Sequence, residues 1–244
     1  VKLFNVIDFE TMSNCNRVCP TCIRNSHPDR EAVKPWFENN YLPEDIIYLA
    51  LEQAVNMGFE GDVCLSHFNE PLMDSRLPRI ARMVKSFGKF RRVFLNTNGD
   101  YINEELAGKL DGALDRMIVA LYMGEPIKSQ RAAWIPTLFK KTEIQIITES
   151  EHIPSHFSPK FDVKGLAEKY KDANCLEPAM RVIINHRRQY LLCCEDVIGN
   201  FDLGYFPDTP LKDYWHGKHA KIEEMLGVTG GRSWHPYCLS CPKT

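Results

Sequence analysis

Cys15, Cys19 and Cys22 are spaced C-x3-C-x2-C, and Cys238 and Cys241 form a C-x2-C near the other end of the chain. Thiolates are the usual ligands of iron–sulfur clusters. Three close together can hold three irons of a four-iron cube and leave the fourth open for chemistry. The chain has nine cysteines. They crowd at the two ends, with Cys64 alone in the long stretch before Cys175, and this favours metal binding over a disulfide framework, which spreads its cysteines over a small domain. The bland alternative for the first group is a zinc knuckle completed by His27.

The elements that must position these cysteines follow an alternating pattern. Residues 3–9 (LFNVIDF) read as a buried strand running into the first cysteine loop. A helix is expected from Pro43, with Ile47, Ala50, Leu51, Ala54 and Val55 on one face and Gly58 ending it. Strands are expected at 62–66, 93–97, 117–122 and 143–148. Between them the spacing predicts helices at 77–87, just after Asn103, and at 128–139. Five strands alternating with helices imply an α/β fold of parallel β/α units, a sheet or partial barrel, with the first cysteine loop at the C-terminal strand ends where such folds keep their active sites. Residues 149–162, interrupted by Pro154 and Pro159, read as a boundary. Beyond it, two strands at 179–185 and 189–193 joined by a basic turn, then a helix at 211–226, form a smaller α+β part. The expected division is 1–155 and 156–244.

With 244 residues, 44% hydrophobic and 25% charged, the chain reads as an ordinary soluble globular protein. A net charge of -2 gives no field that would select nucleic acid or an anionic membrane, which leaves a small molecule or peptide as the expected substrate. No stretch approaches 18 apolar residues and VKLFNVIDFE lacks a signal-peptide pattern, so a cytoplasmic protein is expected. His152 and His156 have metal-ligand spacing, but Pro154 argues against a helix there. His216 and His219 read as surface positions on one helix, and Trp134, Trp215 and Trp234 as packing residues.

The spacing and placement of Cys15, Cys19 and Cys22 resemble the radical S-adenosylmethionine (SAM) superfamily. The resemblance implies a partial TIM-like (β/α) barrel and a site-differentiated [4Fe–4S] cluster held by these three cysteines. It further implies that SAM chelates the open iron through its amino and carboxylate groups and is cleaved by one electron to methionine and a 5′-deoxyadenosyl radical. The electron would come from a reductant such as flavodoxin or ferredoxin. Two further segments match. His67-Phe68-Asn69-Glu70-Pro71 resembles the family's Gly-Gly-Glu-Pro segment, which implies that Asn69, Glu70 and Pro71 meet the SAM amino group; alone, Glu70 would read as a surface carboxylate. Asn96-Thr97-Asn98-Gly99 resembles the segment beside the SAM ribose, implying roles for Asn96 and Asn98. The family often places an aromatic residue immediately before the third cysteine, and here Thr21 stands there, which puts the adenine contacts in doubt.

At the C-terminal end, Cys175, then Cys193-Cys194-Glu195-Asp196, then Cys238 and Cys241 resemble the shortened SPASM module called the twitch domain, a β-hairpin plus helix. The resemblance implies that Cys175, Cys193, Cys238 and Cys241 hold an auxiliary [4Fe–4S] cluster; a structural zinc accepts the same four thiolates. The interval of eighteen from Cys175 to Cys193 and the Glu-Asp that follows are similar to short twitch dehydrogenases that oxidise a cyclitol alcohol. That implies a two-electron oxidation with the auxiliary cluster as electron acceptor and Glu195 near substrate; without the resemblance Glu195 reads as an exposed turn carboxylate. Those dehydrogenases place a substrate arginine after the fifth strand, where this chain has EHIPSHFSPK; a different sugar, cyclitol or peptide side chain is expected as substrate. Three other readings compete. One is radical epimerisation, with Cys64 or Cys194, the two cysteines outside the ligand sets, as hydrogen donor. The others are peptide maturation and a non-enzymatic zinc or electron-transfer protein.

Overall fold

The structure is a computed structural model that describes residues 3–20, 22–147 and 163–242. Its strands are β1 (Val6–Phe9), β2 (Asp62–Cys64), β3 (Arg92–Thr97), β4 (Arg116–Ala120), β5 (Glu143–Ile147), β6 (Arg181–Ile184) and β7 (Tyr190–Leu191). They form one sheet in the order β5-β4-β3-β2-β1-β6-β7. The first five are parallel to their neighbours. Parallel neighbours need a crossover, and helices supply them: α1 (Ile23–Ser26) and α2 (Glu44–Asn56) lead to β2, α3 (Leu77–Ser86) to β3, α4 (Glu104–Leu110) to β4 and α5 (Ile127–Trp134) to β5. Sequential strands are spatial neighbours, so the β/α units wind in one direction as in a barrel. Among the described residues no pairing of β5 with β7 closes the sheet; the barrel is partial.

The local sequence explains these elements. In α2 the buried face is Ile47, Ala50, Leu51 and Ala54, while Val55 is only half-buried. Gly58 ends the helix at φ +86°; its N–H donates to the Val55 carbonyl and that of Phe59 to the Ala54 carbonyl, the paired bonds of a Schellman turn. In α3, Leu77, Ile80, Ala81 and Val84 face the core. The Asn103 side chain accepts from the Leu106 N–H at 2.9 Å and so caps α4. The expected helix at 128–139 is α5 followed by a tight 3-10 turn, Ile135–Leu138, entered at Pro136.

Beyond residue 162 come α6 (Val163–Tyr170), α7 (Glu177–Met180), the β6–β7 hairpin, α8 (Leu211–His216), α9 (Lys218–Leu226) and α10 (Pro236–Leu239). The expected boundary near residue 155 lies outside the described residues, as do His152 and His156. The hairpin does not form a sheet of its own: β6 pairs in parallel with β1, Val6 opposite Arg181 through Phe9 opposite Ile184. Phe4 of the first segment packs on Trp215 of α8 with ring centroids 5.0 Å apart, and Gln53 of α2 accepts the Leu211 N–H at 2.9 Å. The expected helix at 211–226 is two helices. Gly217 sits at φ -94°, ψ -121° between them, and a Cβ there would meet the Asp213 carbonyl oxygen at 2.4 Å. The break overturns the surface placement of His219, which is fully buried and stacked on Trp215 at 4.4 Å. His216 is exposed, Trp215 is buried, and Trp234 is 37% exposed and stacked on Phe201.

Candidate active site

The C-terminal ends of β1–β5 surround a cavity of about 330 Å³ whose lining includes Cys15, Cys19, Cys22, Glu70, Asn98 and Tyr122. The three cysteines lie on the loop leaving β1. Cys22 caps α1, its carbonyl accepting the N–H groups of Asn25 and Ser26 at 3.0 Å, so the third sulfur is fixed at a helix start. Cys15 Sγ accepts the Arg17 N–H at 3.5 Å. Burial lifts the Cys22 thiol to about 11, with the neighbouring Cys19 and Cys15 adding to it and Arg24 opposing; a metal that replaces the thiol proton relieves that cost. Thr21 lies outside the described residues. His27 is buried, and its Nδ1 takes the Asp29 N–H at 3.1 Å; it is not among the residues lining the cavity.

The loop after β2 brings Glu70 to the same cavity. Its carboxylate is 2% exposed and accepts from the Leu72 N–H at 3.0 Å, the Thr97 hydroxyl at 2.6 Å and the Asn98 N–H at 2.8 Å. Burial raises its pKa against these bonds. The surface-carboxylate reading is therefore overturned: Glu70 ties the loop after β2 to the loop after β3. Pro71 follows as the first residue of a 3-10 turn, Pro71–Met73. Asn69 lines the cavity, its Oδ1 accepting the His67 N–H at 2.9 Å. Asn96 lines it too, with its N–H on Ser66 Oγ at 2.9 Å. Asn98 directs its amide to Asn16 Oδ1 at 2.8 Å, with Cys15 Sγ at 4.0 Å.

A second, apolar cavity is lined by Cys175, Cys193, Cys238 and Cys241, together with Tyr237 and Arg232. Burial first, then Cys175 and Cys241, push the Cys238 thiol up to about 12, so these thiols feel one another. Arg232 is buried and braces the segment, donating to the Ala173 carbonyl at 3.0 Å and the Cys241 carbonyl at 3.4 Å. Among the described residues no three His, Cys, Asp or Glu side chains are placed to hold a single metal ion. A four-iron cube takes one thiolate per iron, and a ring of thiols around a cavity suits it. By residue type the two sets are those such clusters take, three thiols lining the first cavity and four the second.

Cys193, Cys194 and Glu195 stand where the cavities meet. Cys193 lines the second, Cys194 the first, and Glu195 both. The two cysteines face apart, on a bend beyond β7 where the expected strand would have reached Cys193. Glu195 is 3% exposed, which overturns its reading as an exposed turn carboxylate, and its carbonyl accepts the Tyr237 hydroxyl. Cys64 is 1% exposed on β2, its thiol on the Ser66 carbonyl at 3.3 Å, and is not among the lining residues of either cavity.

Several residues of the site were not singled out in the sequence. Arg17 forms a bidentate ion pair with Asp100 and lies over the Tyr122 ring at 5.5 Å. Burial would raise the Asp100 carboxyl, but the Arg17 fork and the Asn16 amide hold it below its ordinary value. Glu10, at the end of β1, is fully buried. Its carboxylate accepts Trp36 Nε1 at 2.9 Å, the Phe68 N–H at 3.3 Å and His186 Nδ1 at 2.6 Å. A charge next to an apolar strand and just before a cysteine loop was the available signal for Glu10; the Arg17 pairing spans 83 residues and left none.

A partial β/α barrel thus brings three thiols and a buried glutamate together at its C-terminal strand ends. The family model described as the radical SAM superfamily matches residues 9–135, and the chain belongs to that superfamily. It is thus an enzyme of the radical SAM class, for which the family implies a [4Fe–4S] cluster and SAM. The S-adenosyl-L-methionine-dependent 2-deoxy-scyllo-inosamine dehydrogenase of Niallia circulans is 24% identical over 242 residues, covering 98% of this chain and 93% of that protein. In fold, the chain is similar to BtrN in complex with AdoMet and 2-DOIA, with a TM-score of 0.82 at 22% identity over 100% of this chain and 94% of that one. It is also similar to anSMEcpe with bound AdoMet, with a TM-score of 0.55 at 15% identity over 97% and 84%. No helix among the described residues is long and apolar enough to cross a membrane.

Proposed function

We propose that this protein is a radical SAM dehydrogenase that oxidises a carbinol of a small hydroxylated molecule to a carbonyl. Residues 1–155 would form the SAM-cleaving part and residues 156–244 the part holding an auxiliary [4Fe–4S] cluster, with flavodoxin or ferredoxin as electron donor. The observation that carries the reading is the junction at Cys193–Glu195, where adjacent residues face the two thiol-lined cavities. Similarity to a dehydrogenase along nearly the whole of both chains supports it.

Cys15, Cys19 and Cys22 would hold the SAM cluster, and Cys175, Cys193, Cys238 and Cys241 the auxiliary one. When bound, these groups and SAM supply hydrogen-atom abstraction and an acceptor for one electron. The chain supplies the rest. Glu70, fixed by three donors, presents buried negative charge toward the SAM amino group. Glu195 takes the hydroxyl proton of the substrate, so that the carbinol loses a hydrogen atom from carbon, a proton from oxygen and one electron. Apolar walls at Ile118, Ala120 and Ile147 exclude water from the radical. The stretch EHIPSHFSPK lies outside the described residues, and no substrate contact is assigned to it.

The family match sets aside the non-enzymatic reading. Epimerisation is the second reading, favoured by one observation: Cys194 lines the first cavity, from which it would return a hydrogen atom. The test is turnover of a panel of amino-cyclitols and amino sugars, with 2-deoxy-scyllo-inosamine for comparison, in heavy water with dithionite. A carbonyl product formed with 5′-deoxyadenosine is expected. Deuterium at a non-exchangeable carbon, with no carbonyl, would establish epimerisation instead. Glu195→Gln is expected to slow product formation by about 10²- to 10⁴-fold, the usual range for a lost general base, while SAM cleavage persists.

A further inference from the structure

The loop between Cys15 and Cys19 is fastened from outside. Arg17 donates through Nε to Asp100 Oδ2 at 2.6 Å and through Nη2 to Oδ1 at 2.5 Å, a fork that fixes direction as well as distance. Asn16 Nδ2 donates to the same Oδ2 at 2.7 Å. The Asn98 amide donates to Asn16 Oδ1 at 2.8 Å, and Asn98 Oδ1 accepts the Asp100 N–H at 3.0 Å. Asp100 thus holds both residues that follow Cys15, and Asn98 closes the ring beside the Cys15 sulfur. The pair is three-quarters buried, Arg17 24% and Asp100 22% exposed, and the Arg17 guanidinium rests over Tyr122 from beyond β4. No other acidic side chain bonds Arg17 among the described residues.

We propose that Asp100 is a positioning residue for the cluster loop, acting through Arg17 and Asn16 to set the Cys15 and Cys19 thiolates before and during SAM binding. The proposal rests on Cys15, Cys19 and Cys22 as cluster ligands and not on the outcome of the reaction. Outer partners of metal ligands typically contribute 10- to 100-fold in metal affinity. The paired oxygens of Asp100 serve three donors, so an amide in its place can accept from at most part of the set and turns an N–H₂ toward a guanidinium.

The test uses the anaerobically purified full chain with its iron. Wild type, Asp100→Asn, Asp100→Glu and Arg17→Met are compared by iron release to a chelator and by the SAM-induced change in the EPR spectrum of the reduced protein. Asp100→Asn and Arg17→Met are expected to release one cluster's iron about 10- to 100-fold faster and to need correspondingly more SAM for the spectral change, with the second cluster unaffected. Asp100→Glu, which keeps the carboxylate, is expected to restore most of both. Cys64, buried at 1% exposure, serves as a folding control through its alkylation rate. Unchanged iron release and SAM midpoint in Asp100→Asn overturn the proposal, and so does faster Cys64 alkylation in step with iron loss, which marks a general loss of structure. If wild type holds no more iron than a Cys15/Cys19/Cys22→Ala variant, the ligand assignment itself falls, and the proposal with it.

Discussion

Glu70 accepts three protein donors while lining the first cavity, so its substitution is expected to affect structure and ligand together. Glu70→Gln leaves one donor facing an N–H₂ group; a buried unsatisfied donor costs about 1–3 kcal/mol, and a matching loss in urea unfolding is expected together with weaker SAM binding. His219 gives a pH prediction. Burial lowers its pKa to about 4, with the Pro178 and Trp215 backbones opposing. The unfolded chain, with an ordinary imidazole, therefore binds more protons between about pH 6.5 and 4. Stability is full above that window and falls as pH falls through it, by up to about 3 kcal/mol at one pKa unit per 1.4 kcal/mol. His219→Phe is expected to flatten that part of the acid limb; an unchanged profile would contradict it. The cysteines and Glu70 were legible because spacing and neighbouring segments mark them. Thr97, Asp100 and Tyr122 were not, since each acts through partners on another strand end.

Between elements, Glu10 is a buried tie. It joins β1 to the turn at Lys34–Phe37, to the loop after β2 and to the hairpin turn at His186, and the Glu10 and His186 side chains are both fully buried. A buried donor left without its acceptor costs about 1–3 kcal/mol; Glu10→Ala removes the acceptor of the Trp36 and His186 side chains and is expected to lose at least that much in chemical denaturation. Asn103→Ala removes a helix cap exposed at the surface and is expected to cost about 1 kcal/mol. The alternation of strands and helices was readable from apolar periodicity, and the cap from Asn103 itself. The break at Gly217 was not, because Leu211, Tyr214, Trp215, Ile222 and Leu226 keep a helical rhythm across it, and only the Asp213 carbonyl, 2.4 Å from where a Cβ would stand, shows why the break holds a glycine.

On the scale of the whole molecule, β6 extends the parallel sheet beside β1, and the Arg181–Asp8 pair at 3.1 Å reinforces that seam. The segment carrying Cys193, Cys194 and Glu195 is thereby registered against the strand that leads into Cys15. A hairpin read from sequence carries no information about which sheet it joins, since β6 is an apolar run that suits any buried position. Two iron–sulfur clusters, one on either side of Glu195, are what the proposed reaction requires of this chain. Iron and sulfide quantitation on anaerobically purified protein, with and without the Cys15/Cys19/Cys22→Ala change, tests that requirement most directly. About eight irons per chain falling to about four is the expected result, the content of two cubes and then one; zinc in place of either cluster, or iron unchanged by the triple substitution, would contradict it.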